Sequence, residues 1–240
     1  MTEFTILDRI KDLRKVCKLL SMLKSQLIER LPHHGHDALF LKNDDITTGL
    51  LNNITEIKIH LLTGQLLYFE NEKAHFVDLV NDDIREQLGR IVTTYDLDLP
   101  QIPDLRNLST GDLSYYYAFA TKVNRSLELS RMKLTGDFTQ VHLWPDGFDF
   151  SVEWFTGKKD EQVGIGISPG HNNYKTPYLY VNPYPFAEKV TKEVLPIGIW
   201  HTSGWKGIKV DWKELERKED FEISSQIRDL FDIALRNFKP

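Results

Sequence analysis

The feature that most constrains this chain is an order: one long apolar helical stripe, then a train of short alternating stretches closed by turn residues, and then the same order again. Leu13, Val16, Leu20, Leu23, Leu27 and Leu31 recur at steps of three and four, which gathers them on one side of a helix expected to end at Pro32. Such a stripe needs a surface to cover. The stretches 38–42, 46–51, 56–62, 65–70 and 75–79 alternate with period two, and Asn43-Asp44-Asp45, Asn52-Asn53 and Thr63-Gly64 suit tight turns between antiparallel strands. The spacing predicts a five-stranded meander. Asn81-Asp82-Asp83 then supplies a helix cap, and Ile84, Leu88, Ile91, Val92 and Tyr95 form a second apolar stripe.

After a proline-bearing, non-periodic stretch over 99–108, the order recurs. A helix is expected from Leu113 to Leu134, with Tyr116, Phe119, Val123 and Leu127 near one face. Strands are expected over 139–144, 148–154, 162–167, 178–182 and 208–212, and a last helix through Ile227, Leu230, Phe231, Ala234 and Phe238. Short echoes, Leu66-Leu67-Tyr68-Phe69 with Tyr178-Leu179-Tyr180-Val181 and Val77-Asp78-Leu79 with Val210-Asp211-Trp212, suggest duplication. The fold class is therefore α+β: two similar α-β5-α halves, 1–98 and 109–240, joined by a linker over 99–108, with antiparallel sheets carrying helices on one face.

Composition narrows the partners. The net charge of -5 provides no field for a phosphate backbone, so nucleic acid is not expected. No apolar run approaches the roughly 20 residues of a membrane span, and the first residues lack the pattern of a secretory signal, so a cytoplasmic protein with no membrane partner is expected. The only cysteine, Cys17, lies among Val16, Leu19 and Leu20 and reads as a small buried apolar residue.

All five tryptophans fall in the second half, which also carries an insertion over 183–206 with Tyr184, Phe186, Trp200, His201 and Trp205. Long loops on rigid sheets bind ligands, and they also cover sheet edges; both readings stand. Gly166-Ile167-Ser168-Pro169-Gly170 has the letters of a nucleophile elbow but not its mechanics. Pro169 has no N–H to stabilise an oxyanion, and the following residues lead to a strand where the elbow needs a helix. Pro32-His33-His34-Gly35-His36-Asp37 is the densest histidine cluster and offers metal-ligand chemistry. Trp144-Pro145-Asp146-Gly147-Phe148 reads as a hairpin turn, with Gly147 free to take positive φ. In that turn His142 and Trp144 would share a face with Phe148 and Phe150, while Asp149 and Glu153 point the other way and read as a solvated face. The segment 201–207, with hydroxyls, glycines and a lysine, could wrap an anion.

His142-Leu143-Trp144-Pro145 with Phe148-Asp149, Ser168-Pro169-Gly170, and Pro177-Tyr178-Leu179-Tyr180-Val181 together resemble a bacterial and archaeal domain-of-unknown-function family, over most of the chain. In that family two aromatics stand between two histidines; His33 and His36 match the histidines, and His34-Gly35 departs from the aromatics. The resemblance implies a site at these residues and no particular activity.

The expected function is binding of a small molecule by His33, His36, His142, Trp144, Tyr180, His201 and Trp205. The alternatives are a metal-dependent enzyme with His33, His36 and His142 as ligands, and a protein-interaction module using an exposed sheet or aromatic patch. Cofactor, catalytic residues and oligomeric state are not read from the sequence.

Overall fold

The computed structural model describes residues 5–51, 55–70, 73–98, 104–158, 160–171 and 173–238. The expected turn at Asn52-Asn53 and the proline-bearing part of the expected linker lie outside them. The chain divides into two compact units, one of Met1–Thr121 with His142–Phe148, the other of Lys122–Val141 with Asp149–Pro240. This division departs from the expected one at 99–108. It falls inside a helix, and a short hairpin segment from the second half of the sequence belongs to the first unit.

In the first unit α1 (Ile6–Arg9) is started by Thr5 and Asp8, which cap each other reciprocally. Helix α2 (Lys11–Leu27) buries Leu13, Val16, Leu20 and Leu23 as expected. It ends four residues sooner than the stripe implied, because the backbone at Ile28 turns extended, and Leu27 and Leu31 are consequently exposed. Cys17 is fully buried in this helix, and burial pushes its thiol far above the usual range.

Strands β1 (Phe40–Lys42), β2 (Asp45–Thr47), β3 (Lys58–His60), β4 (Gln65–Glu70) and β5 (Lys73–Asp78) form the expected meander, in order and antiparallel. Register aligns Leu41, Ile46, Ile59, Leu66 and Val77 in one buried row across all five strands. Burying each such side chain stabilises the fold by about 1.5–3 kcal/mol, so this row fixes which face looks inward. Helix α3 (Ile84–Thr94) starts where Asp83 accepts from the Glu86 N–H at 3.0 Å, and it buries Ile84, Leu88 and Ile91.

Helix α4 (Thr110–Arg131) runs through the division between the units at Thr121. The second unit contains β6 (Asp137–Phe138), whereas β7 (His142–Trp144) belongs to the first. The remaining strands are β8 (Asp149–Phe155), β9 (Gln162–Ser168), β10 (Tyr178–Tyr184), β11 (Ile199–His201) and β12 (Gly207–Asp211), followed by α5 (Asp220–Ala234). They form an antiparallel sheet in the order β11-β12-β10-β9-β8-β6. Val152, Ile165, Val181 and Ile208 align in one buried row and Phe150, Ile167, Leu179 and Val210 in the next. Helix α5 packs on β9, β10 and β12 and buries Ile223, Ile227, Leu230 and Phe231.

Repetition of one α-β5-α plan does not extend to these details. The strand order differs, and the echo that aligns Leu67 with Leu179 joins a residue on the outward row to one in the core. The insertion is structured. Its last part supplies the edge strand β11, and its start is tied to the turn that follows α5 by Asn237, which donates to the Pro185 carbonyl at 2.8 Å and accepts from the Ala187 N–H at 2.6 Å. Among the described residues no helix is long and apolar enough to cross a membrane.

Candidate functional site

On the second sheet, alternation sends one set of side chains into the core and the other onto the opposite face. That opposite face carries Ser151, Gly166, Tyr180 and Lys209 in one row, and Glu153, Gly164 and Asn182 in the next. The two glycines shape it. A methyl group at Gly166 would collide with the phenol end of Tyr180, so the ring lies across β9 towards β8, where its hydroxyl donates to Asp149 Oδ2 and is also hydrogen-bonded by Ser151. A methyl group at Gly164 would collide with Asn182 Oδ1 and come within 3.1 Å of both Glu153 oxygens, so amide and carboxyl converge over that glycine.

This face is not the solvated surface that alternation alone suggested for Asp149 and Glu153. Burial, with a smaller push from the Asp149 carboxylate, raises the Glu153 carboxyl to about 7, which keeps much of it protonated at neutral pH. Glu153 Oε2 and Asn182 Oδ1 are buried and have no hydrogen-bond partner. The same holds for Trp205 Nε1, whose ring stacks on Tyr178 at 6.0 Å and meets Tyr180 edge-on at 6.2 Å.

His201 holds Trp205 in place. Its Nδ1 lies 2.7 Å from the Trp205 carbonyl, which can only accept, so the ring proton is on Nδ1; Nε2 then accepts from the Tyr174 hydroxyl at 2.5 Å. The His201 ring also stacks on Trp205 at 4.3 Å. Both nitrogens are committed, so His201 positions the indole and is not available as a ligand atom.

In the first unit, Leu39 and Leu143 exchange two backbone hydrogen bonds of 3.0 and 2.8 Å, which sets His142 beside Phe40. The His142 ring is edge-on to Phe40 at 5.5 Å and to Trp144 at 5.2 Å. Burial, then the charges of Lys24 and His33, lower the imidazole to about 4. Its Nδ1 is buried with no partner. The turn after β7 differs from the expected one: positive φ falls on Phe148 and not on Gly147, and Phe148 stacks on Tyr116 at 5.2 Å. Phe148 thus packs within the first unit, and Phe150 is buried in the second.

The early histidines also differ from expectation. Among the described residues the group within metal-ligand reach is His34, His36 and Asp37, not His33, His36 and His142. Asp37 Oδ2 is 3.4 Å from His36 Nε2 and 3.7 Å from His34 Nδ1. The Leu31 N–H donates to His36 Nδ1 at 3.3 Å, which puts the His36 proton on Nε2, facing Asp37. A cation there would have to displace that proton, so the trio is arranged as a histidine–carboxylate pair.

Of the seven residues expected from the sequence, the fold thus gathers Tyr180, His201 and Trp205 in the second unit and His33, His142 and Trp144 in the first, with His36 engaged by Asp37 and Leu31. Sequence reasoning missed Glu153, Asn182 and Lys24. The two in-strand glycines of β9 signalled the first pair, and a lysine at the fourth position after Leu20, on the apolar stripe, signalled the third. No protein-family model, curated protein or solved structure matches the chain, so the reading of these residues rests on their own geometry.

Proposed function

We propose that the chain binds a small polar organic molecule, one carrying hydroxyl or amino groups beside a flat apolar face, on the polar side of the second sheet. The observation that carries this reading is the set of three buried, partnerless atoms, Glu153 Oε2 and Asn182 Oδ1 over Gly164 and Trp205 Nε1 in the ring stacked on Tyr178. Leaving a buried polar atom unsatisfied costs about 1–3 kcal/mol, so three on one face call for a ligand or bound water. Asn182 Oδ1 accepts, Trp205 Nε1 donates and the Glu153 carboxyl, near 7, can do either, which matches a polyol or amino sugar whose C–H face can lie on an indole. Glu153, with its carboxyl near 7, could also hold a proton for or give one to such a molecule; binding is the claim and proton transfer an extension of it. The setting that goes with this reading is cytoplasmic, with no nucleic-acid partner for a chain of net charge -5.

The test is a calorimetric screen of monosaccharides, polyols and small amines. At least one compound is expected to bind, with affinity falling about tenfold in Trp205→Phe, which keeps an aromatic ring, smaller than the indole, and loses the N–H. The proposal fails if none of these compounds binds and a crystal structure shows ordered waters satisfying all three atoms.

A further inference from the structure

The first unit is acidic as a whole, yet around Phe40 it gathers lysine and histidine side chains. Lys24 is only 2% exposed and donates to the carbonyls of Gly35 at 2.8 Å and Ala38 at 2.6 Å, with its ammonium 4.6 Å from the Phe40 ring centre. These partners are neutral: they satisfy hydrogen bonds without cancelling a charge. Lys42 approaches the same ring at 5.8 Å. His142 lies edge-on to that ring, and both Lys24 and His33 act on it through their charge. The acid acting on Lys24 is Asp37, whose Oδ2 already faces His34 and His36. Burial lowers the Lys24 amine to about 8, with Lys42 adding to the effect, which leaves it mostly protonated at neutral pH.

Beside Phe40 one polar atom is left over. His142 is 6% exposed, and its Nδ1 is enclosed with no partner. A histidine that served only to fill the core would be expected to have that nitrogen paired, as His201 has both of its own. His33 and Lys42 are exposed and Phe40 and Trp144 half-buried, so the group extends from the buried nitrogen to solvent.

We infer that Lys24, Lys42, His33 and His142 form a binding site for a small oxyanion, a carboxylate or phosphate group, received at His142 Nδ1 within the field of Lys24. In the neutral imidazole the Nδ1–H tautomer donates to the anion, whose charge lies in the field of Lys24 and Lys42. Phe40 and Trp144 both meet the His142 ring edge-on. The site uses no residue of the second unit and stands or falls separately from the binding proposed there.

The test is a titration of nitrogen-15-labelled full-length protein with sodium phosphate and, separately, sodium acetate, at constant ionic strength set with sodium chloride. Saturable shifts are expected at the His142 ring nitrogens and the Trp144 indole N–H in the millimolar range or below, with His201 unmoved. Half-saturation should rise about tenfold in Lys24→Met and about threefold in Lys42→Met, the exposed variant that keeps the test valid if the buried one does not fold. Saturation by either anion supports the site and says which headgroup it takes. Absence of saturation at His142 with both anions, or unchanged affinity in Lys42→Met and in any folded Lys24→Met, overturns it.

Discussion

In the first sheet, the row Phe40, Thr47, Lys58, Leu67 and Phe76 faces away from the core and ends in a phenyl ring that is 66% exposed. In the second sheet, the row facing away from the core holds Ser151 at 1% exposure, a tyrosine lying flat across a glycine, and an adjoining carboxyl held near 7. Both sheets obey the same alternation and bury a continuous aliphatic row. What differs is the second face: the first sheet's row buries Thr47 but leaves Phe76 standing in solvent, and the second uses glycines that let polar neighbours lie down and leave solvent. A face can therefore be polar in composition and still be interior in its electrostatics.

Three substitutions would sharpen or break this contrast. The largest effect is expected at Gly166→Ala, where the new methyl meets the Tyr180 ring and the Phe150 carbonyl 2.7 Å away. A loss of about 3 kcal/mol by urea unfolding is expected, and a loss below about 1 would mean that the ring is not pinned. Next is Glu153→Gln. The folded carboxyl titrates near 7 and the unfolded one near 4.5, so ionisation weakens the wild type as pH rises through that interval and has no effect below it. The variant should match the wild type at pH values below about 4 and exceed it by about 2 kcal/mol above about 8; parallel pH profiles would show that the carboxyl is solvated after all. The smallest effect is expected from Phe76→Thr on the first sheet, within about 0.5 kcal/mol of the wild type. A larger loss there would mean that the ring is covered in solution and would revive the reading of that face as an interaction surface.

The meander was legible because each strand is short, alternates cleanly and is closed by turn residues; β4 runs over the same residues, 65–70, that the pattern marked. Strand β11 was not legible. Ile199-Trp200-His201 is three residues inside an aromatic-rich insertion, and its only reason to be extended is the edge of β12 beside it. The premature end of α2 likewise depends on packing, because Leu27 and Leu31 keep the helical spacing without having anything to cover. Alternation correctly set Asp149 and Glu153 on the side away from Phe150 and Val152. Whether that side was wet depended on Gly164 and Gly166 one strand away, a relation between strands that no window along the chain contains. The histidine groups show the same limit, since the pairing of Leu39 with Leu143 is a contact between distant segments that sets His142 beside Phe40.

The deep burial of the single thiol in α2 makes the molecule easy to instrument. With Cys17 suppressed as a nucleophile in the native fold, a cysteine introduced at an exposed position such as Lys42 or Lys206 would be the one that a maleimide dye or nitroxide finds. Modification of Cys17 itself would then report opening of the first unit's interior, giving the same preparation a built-in clock for local unfolding.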